Sequence, residues 1–469
     1  MKLWNEWLKQ VILLKSSCNN YITFFWMITI LIAFCIRSDL AGVTSFVRCL
    51  GVKPAAYFCI LHFFHSSGVN LENLTQLWIT LCLSLFENVL YKIDHYYIII
   101  ADSIIRPKEG LKMPAVKALF QSSASNSKAP FVMGHFFECL SFLIRSENGQ
   151  AHAIPITARI HDGIIMNNKD KSTTIIDRFY SLTARLLANR NYIVDADAYY
   201  YAKKMMMELK KSNNCLITRM RTNAIAWEPY CDKKKKRGRR KLYGKKIVLR
   251  RLFRAKDKFA TGNSPVYGES NVKIKYRVID AVIRPGAFGV RIVLVVHPKR
   301  GKIILLSSNM EIPALKIIEI YGYRYKIEVS FKAAVHQVGV YAYHFWLKIM
   351  KKIKKGSKSQ DIRGAAENYK EKVTRKIKAY LLYVQLGLIA QGLLKFLSVN
   401  FMTRIWEQYD GWLRTMEKSK HPSELVVMHV LNATKHLFFK EIRSGEIWKK
   451  FHSKHFQIDY SSPQKVVSQ

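Results

Sequence analysis

The most informative stretch of the sequence is YGYRYKIEVSFK, residues 321–332. We expect it to lie on a helix that begins near Pro313 and to place an aromatic ring, two cations and an acid along one stripe, because these residues recur at offsets of three and four: Tyr321, Arg324, Glu328 and Lys332. A solvated ladder of ion pairs has the same composition. Ile327 lies beside the stripe, however, so Glu328 is expected at the border of a buried face, where a carboxylate needs a metal ion or a cation.

Other acids follow apolar runs that are typical of strands. Residues 96–101 precede Asp102, and residues 192–194 precede Asp195 and Asp197. An acid at a strand end is exposed while its backbone is held rigidly, and Mg²⁺ prefers oxygen ligands. Two such aspartates and one helix glutamate could hold a metal pair for in-line phosphoryl displacement. The chain has 33 acids, so spacing alone does not single out this set.

Changes in the pattern of apolar, β-branched and charged residues along the chain predict five regions. Residues 1–90 read as four or five packed helices, and from about residue 92 short β-branched runs predict three consecutive strands followed by a helix over 174–188. The predicted regions are 1–90, helical; 91–230, strands followed by helices; 231–275, basic, within a strand-rich stretch over about 215–310; 276–345, strands and the Glu328 helix; and 346–469, helical with a disordered tail after Asp459.

The charge of the chain points to a polyanionic partner. Lys and Arg number 76 against 33 acids, a formal charge of +43, and an isolated compact protein gains nothing from such self-repulsion. Nucleic acid, a membrane surface or a ribosome-like assembly would all serve. Residues 233–251 hold twelve Lys or Arg and no acid. A solvated or nuclear-targeting tract is possible, but interleaved apolar residues favour an arm that contacts phosphates through Lys236, Arg237, Arg239, Arg240 and Lys241.

Membrane insertion and disulfide formation are both disfavoured. The apolar run 21–36 has 16 residues, whereas a span needs about 20, so we expect a buried helix. A second apolar run, 380–401, is interrupted by Gln385, Gln391 and Lys395. The eight cysteines contain no CxxC pair, which favours reduced, buried thiols in a cytoplasmic protein.

Several blocks resemble the DDE transposases of bacterial insertion sequences, and the similarity runs through most of residues 40–345. The blocks are IIAD at 99–102, KEGLKMP at 108–114, GH at 134–135, VDADAYY at 194–200, TRMRTNA at 218–224 and YGYRYKIEVSFK at 321–332. The resemblance implies an RNase H-like catalytic core of the α+β or α/β class, divided over residues 91–230 and 276–345, with a β-rich insertion over about 215–310 that includes the basic stretch 231–275. Helical regions would flank this core, and the first of them, residues 1–90, would bind DNA ends. The 131 positions between Asp197 and Glu328 agree with that insertion.

The resemblance also assigns roles to residues. Asp102, Asp197 and Glu328 would be the catalytic acids and the ligands of two Mg²⁺ ions, with Mn²⁺ as substitute. Asp195 remains a rival second acid, because it is two residues away on the same strand face. Arg324 would hold a DNA phosphate, and Tyr321 would position the terminal nucleotides.

The activity implied by the resemblance is metal-dependent cleavage at the terminal inverted repeats of an element, followed by joining of the freed 3′-hydroxyls to target DNA. A homodimer on paired ends, near the bacterial nucleoid, is implied as well. One position departs from the signature, which has Lys seven residues after the Glu, where this chain has Val335. Lys332 could substitute; otherwise the chain is a decayed copy that only binds nucleic acid.

Overall fold

The structure is a computed structural model that describes residues 2–121, 130–161, 163–168, 173–231, 241–442 and 446–457. Within these residues the chain forms thirteen α-helices: α1 Lys2–Ile12, α2 Tyr21–Ile36, α3 Val43–Leu50, α4 Ala56–His65, α5 Leu71–Leu85, α6 Ile175–Leu186, α7 Lys203–Lys211, α8 Ala314–Tyr323, α9 Lys326–Ala333, α10 Glu367–Asn400, α11 Met402–Gln408, α12 Glu424–Ile442 and α13 Glu446–His455. The strands are β1 Lys92–Ile93, β2 Tyr96–Pro107, β3 Lys117–Phe120, β4 Phe131–Arg145, β5 Ala151–Ile160, β6 Ile164–Ile165, β7 Tyr192–Ala196, β8 Cys215–Arg219, β9 Ile225–Pro229, β10 Tyr243–Val248, β11 Ala260–Asn263, β12 Lys273–Ile283, β13 Phe288–His297, β14 Gly301–Ser307 and β15 Gln360–Asp361.

One large mixed sheet organises the fold, as the predicted mixture of strands and helices requires. Its order is β10-β9-β12-β13-β14-β8-β7-β2-β4-β3, and β5 pairs with β4 off this path. β2, β4 and β5 are antiparallel neighbours, whereas β7 lies parallel to β2 and β8 parallel to β7. Parallel neighbours need a crossover connection, and α7 provides the one between β7 and β8.

The sequence predicts that strand β2 ends at Asp102. This prediction is wrong on the side of β2 that pairs with β4. β2 continues to Pro107 because β4 supplies partners as far as the pair of Pro107 with Gly134. On the other side, the pairing of β2 with β7 stops at Ala101 and Ala196. Asp102 therefore follows the last paired residue on the β7 side while it is still held by β4.

The strands between β8 and α8 extend the same sheet. β14 pairs antiparallel with β8, and β13 and β12 follow outward. Four of the predicted DNA contacts, Lys236, Arg237, Arg239 and Arg240, lie outside the described residues. Lys241 is exposed just before β10.

The N-terminal and C-terminal helices pack together against the sheet around α10. Helix α10 contacts α2, α4, α5 and strand β5. Its internal polar side chains are paired: Gln385 accepts a hydrogen bond from the hydroxyl of Thr157 at 2.8 Å, and Lys395 lies 3.4 Å from a carboxylate oxygen of Glu424. These partners explain how polar residues are accommodated inside a buried helix.

Two helices are apolar enough to raise the question of a membrane. Among the described residues only α10 passes for a span by length and composition, and 94% of its most apolar window is buried within the protein. Helix α2, the apolar run with 16 residues, begins where the Asn20 side chain accepts a hydrogen bond from the amide of Thr23. Its residues from Met27 to Ile36 are buried, as expected for a core helix.

Candidate active site

Asp102 and Asp197 occupy equivalent positions on neighbouring parallel strands. The register pairs Ala101 with Ala196, and the next residue on each chain is an aspartate. Side chains alternate along each strand, so the two carboxylates belong to the same face of the sheet. The amide of Ser103 donates to Oδ1 of Asp102 at 2.8 Å, and the hydroxyl of Thr218 donates to the carbonyl of Asp197 at 2.9 Å. These contacts hold both strand ends in place.

The helix that carries Glu328 is divided into two segments. It begins after Pro313, as expected, but α8 ends at Tyr323 and α9 starts at Lys326. The amide of Arg324 donates to the carbonyl three residues earlier, Tyr321, at 3.2 Å, and the amide of Glu328 does the same to Tyr325 at 3.0 Å. Such bonds tighten the turn locally, and the sequence pattern does not reveal them.

Arg324 joins an acid of the sheet to the acid of the helix. Its Nη1 donates to Oδ2 of Asp102 at 2.9 Å, and its Nη2 donates to Oε1 of Glu328 at 2.7 Å. The side chains of Arg324 and Asp102 are 19% and 18% exposed, whereas that of Glu328 is 56% exposed. The ion pair that the alternative interpretation of the stripe allowed is therefore present, and it also reaches across to the sheet. The expectation that Glu328 lies at the border of a buried face is wrong, because its side chain is exposed.

Burial and neighbouring charges shift the ionisation of these groups. Burial raises the pKa of Asp102 to about 6; Arg324 and the Ser103 amide oppose the rise, while Asp197 and Glu328 add to it. Burial opposes the charge of Arg324, but Asp102 and Glu328 hold its pKa above the ordinary value. The guanidinium therefore stays charged among the carboxylates.

Asp195 lies one pleat below Asp197 on the same strand face. Its side chain is fully buried, and neither oxygen has a hydrogen-bond partner within the described part of the chain. Burial, with Asp102 nearby, raises its pKa well above the usual range, although Arg324 opposes the rise. A buried carboxylate without a partner is costly, and the raised pKa favours the neutral, protonated form of Asp195.

The carboxylates of this site are suitable ligands for a divalent cation, but their positions only partly form a site for one. The side-by-side carboxylates of Asp102 and Asp197 and the unpartnered oxygens of Asp195 are ligands of the kind that Mg²⁺ takes. In the described ranges, however, no three acidic, histidine or cysteine side chains converge into a ready metal site. Glu328 is instead paired with Arg324 at 2.7 Å.

The remaining predicted residues surround the acids. Tyr321 is half-buried, and burial together with the charges of Asp195 and Asp197 raises its pKa to about 12, so the phenol keeps its proton. Lys332 is exposed one turn after Glu328. Val335 is half-buried against the core in a π-helical turn, Ala334–Val338, and offers no charge there.

His135, at the start of β4, has a structural role. It is fully buried between the Tyr343 hydroxyl, 2.7 Å from its Nδ1, and the Pro114 carbonyl, 2.9 Å from its Nε2. Burial lowers its pKa to about 3. This environment is that of a packed, hydrogen-bonded histidine rather than of a metal ligand.

Arg219 is a further basic residue at this edge of the sheet, and the sequence motifs predict no separate role for it. It is the last residue of β8, the next strand beyond β7, and its side chain is exposed. Its charge slightly opposes the rise in the pKa of Tyr321 that burial causes. The sequence contains a pattern that indicates this position. The apolar run CLI, residues 215–217, is followed by TRMR, which is typical of a third strand end at the same edge of the sheet.

Comparison with known proteins agrees with this geometry. No curated protein matches the chain. Residues 145–339 match the family model of the transposase DDE domain, a segment that contains Asp195, Asp197, Arg324 and Glu328 and excludes Asp102 and the helices at either end. The match, on a segment that holds the aspartates of β7 and the Glu328 helix, supports a DDE transposase.

Proposed function

We propose that the protein cleaves DNA at the ends of an insertion sequence in a metal-dependent reaction and joins those ends to target DNA. The observation that carries the proposal is the placement of Asp102 beside Asp197, with Arg324 linking Asp102 to Glu328. Residues so far apart in sequence share one site. Their charges suit a phosphodiester and its counter-ions.

In this proposal Asp102, Asp197 and Glu328 hold Mg²⁺, or Mn²⁺ in its place. Bound ions would activate the attacking hydroxyl and stabilise the leaving oxygen of an in-line displacement. Arg324 exchanges its carboxylate partners for a phosphate, which a guanidinium can bind through two parallel hydrogen bonds. The protonated phenol of Tyr321 donates a hydrogen bond to the terminal nucleotide, and Lys332 neutralises a flanking phosphate.

We assign the catalytic core to the RNase H-like type. Three antiparallel strands, β2, β4 and β5, come first, and the parallel strands β7 and β8 follow with their helices. This order supports the assignment. The strands β9–β14 would then be the insertion, and the helices before residue 90 would contact DNA ends.

The proposed partners follow from charge and from the reaction. A formal charge of +43 favours binding to the terminal repeats and to target DNA, with strong salt dependence. Joining two ends requires that both be held together, which supports a homodimer. A cytoplasmic location at the nucleoid follows from the substrate.

The test is nicking of a labelled duplex that carries the DNA flanking the gene, with Mg²⁺ or Mn²⁺. Wild-type protein should leave a 3′-hydroxyl at a fixed position, and Glu328→Gln should bind the duplex without cutting it. Glu319→Gln is a matched control, because Glu319 lies on α8 and pairs with Lys316 and Arg145 rather than with Arg324. Equal cutting by Glu328→Gln and wild type would remove Glu328 from the reaction.

A second candidate function is DNA binding without chemistry. Val335 favours it, because an apolar residue packed against the core occupies the position at which the family signature has a lysine. The predicted result is binding by the wild-type and Glu328→Gln proteins with no nick from either. Replacing Val335 with Lys and recovering cleavage would identify that position as the defect.

A further inference from the structure

A second basic surface lies outside every motif considered above. Residues 346–358 read WLKIMKKIKKGSK and contain six lysines, and no acid occurs between Glu328 and Asp361. The lysines are Lys348, Lys351, Lys352, Lys354, Lys355 and Lys358, and all six are exposed. Within the described part of the chain none of them forms an ion pair. We call residues 346–358 the lysine segment.

The lysine segment is fixed to the protein although it has almost no regular secondary structure. Leu347, Met350 and Ile353 are buried, at 9%, 6% and 8% exposure. The amide of Leu347 donates to the carbonyl of Lys112 at 2.9 Å, and the amide of Ile353 donates to that of Leu111 at 2.8 Å. A merely solvated charged loop needs no such anchors. These contacts anchor the backbone on which the intervening lysines lie, and the lysine side chains are exposed.

The lysine segment is connected to the acid site along one face of the sheet. After α9 the chain crosses the β2–β4 pair, where Tyr341 contacts Cys139 and Tyr343 contacts His135. Cys139 is paired with Asp102, and His135 with Arg106, so these residues share the face of the acids. The lysine segment therefore begins where this face ends.

The separation from the acids matches a short length of duplex. From Asp102 to Pro107 the strand advances five residues, about 17 Å at the usual rise of a strand. Duplex DNA covers that distance in about five base pairs. Lys108, the next residue, donates from Nζ to the carbonyls of Tyr341 and Tyr343 at 2.8 and 2.9 Å, which joins the end of β2 to the start of the lysine segment.

We propose that the lysine segment binds the backbone of the duplex roughly five to ten base pairs from the phosphate held by Arg324 beside Asp102. Six exposed ammonium groups on an anchored backbone, none of them ion-paired within the described residues, complement a polyanion. Trp346, 59% exposed beside them, can pack on a sugar or base. Glu109 is the single acid within residues 103–118. This inference rests on the proposed function, because it places DNA relative to the acids.

The test compares two quadruple variants in EDTA, where no metal-dependent cutting occurs. One carries Lys351→Gln, Lys352→Gln, Lys354→Gln and Lys355→Gln. The matched control removes the same charge from exposed lysines of α12 and α13: Lys440→Gln, Lys449→Gln, Lys450→Gln and Lys454→Gln. Affinity is measured against salt for flanking-DNA duplexes that extend 5, 10, 15 or 20 base pairs from the cut position on either side.

Wild type should gain affinity between the 5- and 10-base-pair duplexes on one side, and the lysine-segment variant should lose that gain. Its plot of log affinity against log salt should be shallower by about 3 to 4, as expected for four lost phosphate contacts, with affinity at least about tenfold lower. An equal loss in both variants, or none in either, would overturn the proposal. Cleavage at low salt distinguishes failure of this proposal from failure of the proposed cleavage activity. If the lysine segment only binds DNA, the variant should still cut at low salt. If the proposed function is wrong, the wild type should not cut either.

Discussion

Arg324 donates a hydrogen bond to Asp102 at 2.9 Å across 222 residues of sequence, and the same guanidinium holds Glu328 at 2.7 Å. A cation thus lies between two of the three proposed catalytic acids. It relieves the repulsion of carboxylates in a partly buried site, where charges interact more strongly than in water. Substrate phosphate would be the natural competitor for Arg324.

Removal of this cation should disable the site and change its titration. Arg324→Gln leaves Asp102 and Glu328 facing each other, so the pKa of Asp102 should rise further above about 6. We expect nicking to fall by at least about 100-fold, in the range seen when one positioned charge is lost, and its acid limb to move to higher pH. Arg363→Gln is the control, because Arg363 pairs with exposed Asp361. Unchanged pH dependence in Arg324→Gln would contradict the bridge.

Asp102 should lower the stability of the folded protein at neutral pH. Its pKa of about 6 is above the value near 3.9 of an unfolded chain, so the folded state binds the proton more tightly and stability falls as pH rises from about 4 to about 6. Asp102→Asn lacks this term. At pH 7 its free energy of unfolding should exceed that of wild type by about 1–2 kcal/mol, because loss of the Arg324 pair offsets part of the gain. Urea unfolding at pH 4 and pH 7 checks this, and the difference should disappear at the lower pH.

The two aspartates of β7 should behave differently. Asp197 is half-buried and beside Asp102, whereas Asp195 is fully buried without a hydrogen-bond partner among the described residues. Asp197→Asn should abolish Mn²⁺-dependent nicking. Asp195→Asn removes a carboxyl whose raised pKa makes the folded state lose stability as pH rises, so it should raise the free energy of unfolding at neutral pH relative to wild type and retain measurable nicking. The opposite pattern would make Asp195 the second acid.

The polar contacts of α10 should be essential to stability. Gln385 accepts hydrogen bonds from the hydroxyl of Thr157 and from Arg159, at 2.8 and 3.0 Å, and donates to the carbonyl of Ile156 at 2.9 Å. Gln385→Leu strands these groups and should cost about 2–4 kcal/mol. Gln408→Leu, at an exposed helix end, should change stability by less than about 0.5 kcal/mol. Chemical unfolding measures both, and equal effects would contradict the network.

Much of the local secondary structure could be predicted from the sequence. The apolar run 21–36 predicted a buried helix, and β-branched runs predicted the strands that hold Asp102 and Asp197. The offsets of three and four placed Arg324 one turn before Glu328, where the ion pair is found. Each of these features depends on neighbours within a few residues, which is why periodicity and propensity were sufficient.

Long-range pairing could not be read in the same way. β2 runs past Asp102 because β4, about 30 residues later, supplies partners, and the strand β14 joins the core sheet through β8. The sequence alone determined which acids, cations and apolar faces the chain carries and their order along helices and strands. Only the tertiary structure decided that Asp102 lies beside Asp197, that Arg324 reaches Asp102, and that Asp195 is buried without a hydrogen-bond partner among the residues that the structure describes. Those outcomes depend on strand register and burial, which are set by contacts between segments distant in the chain.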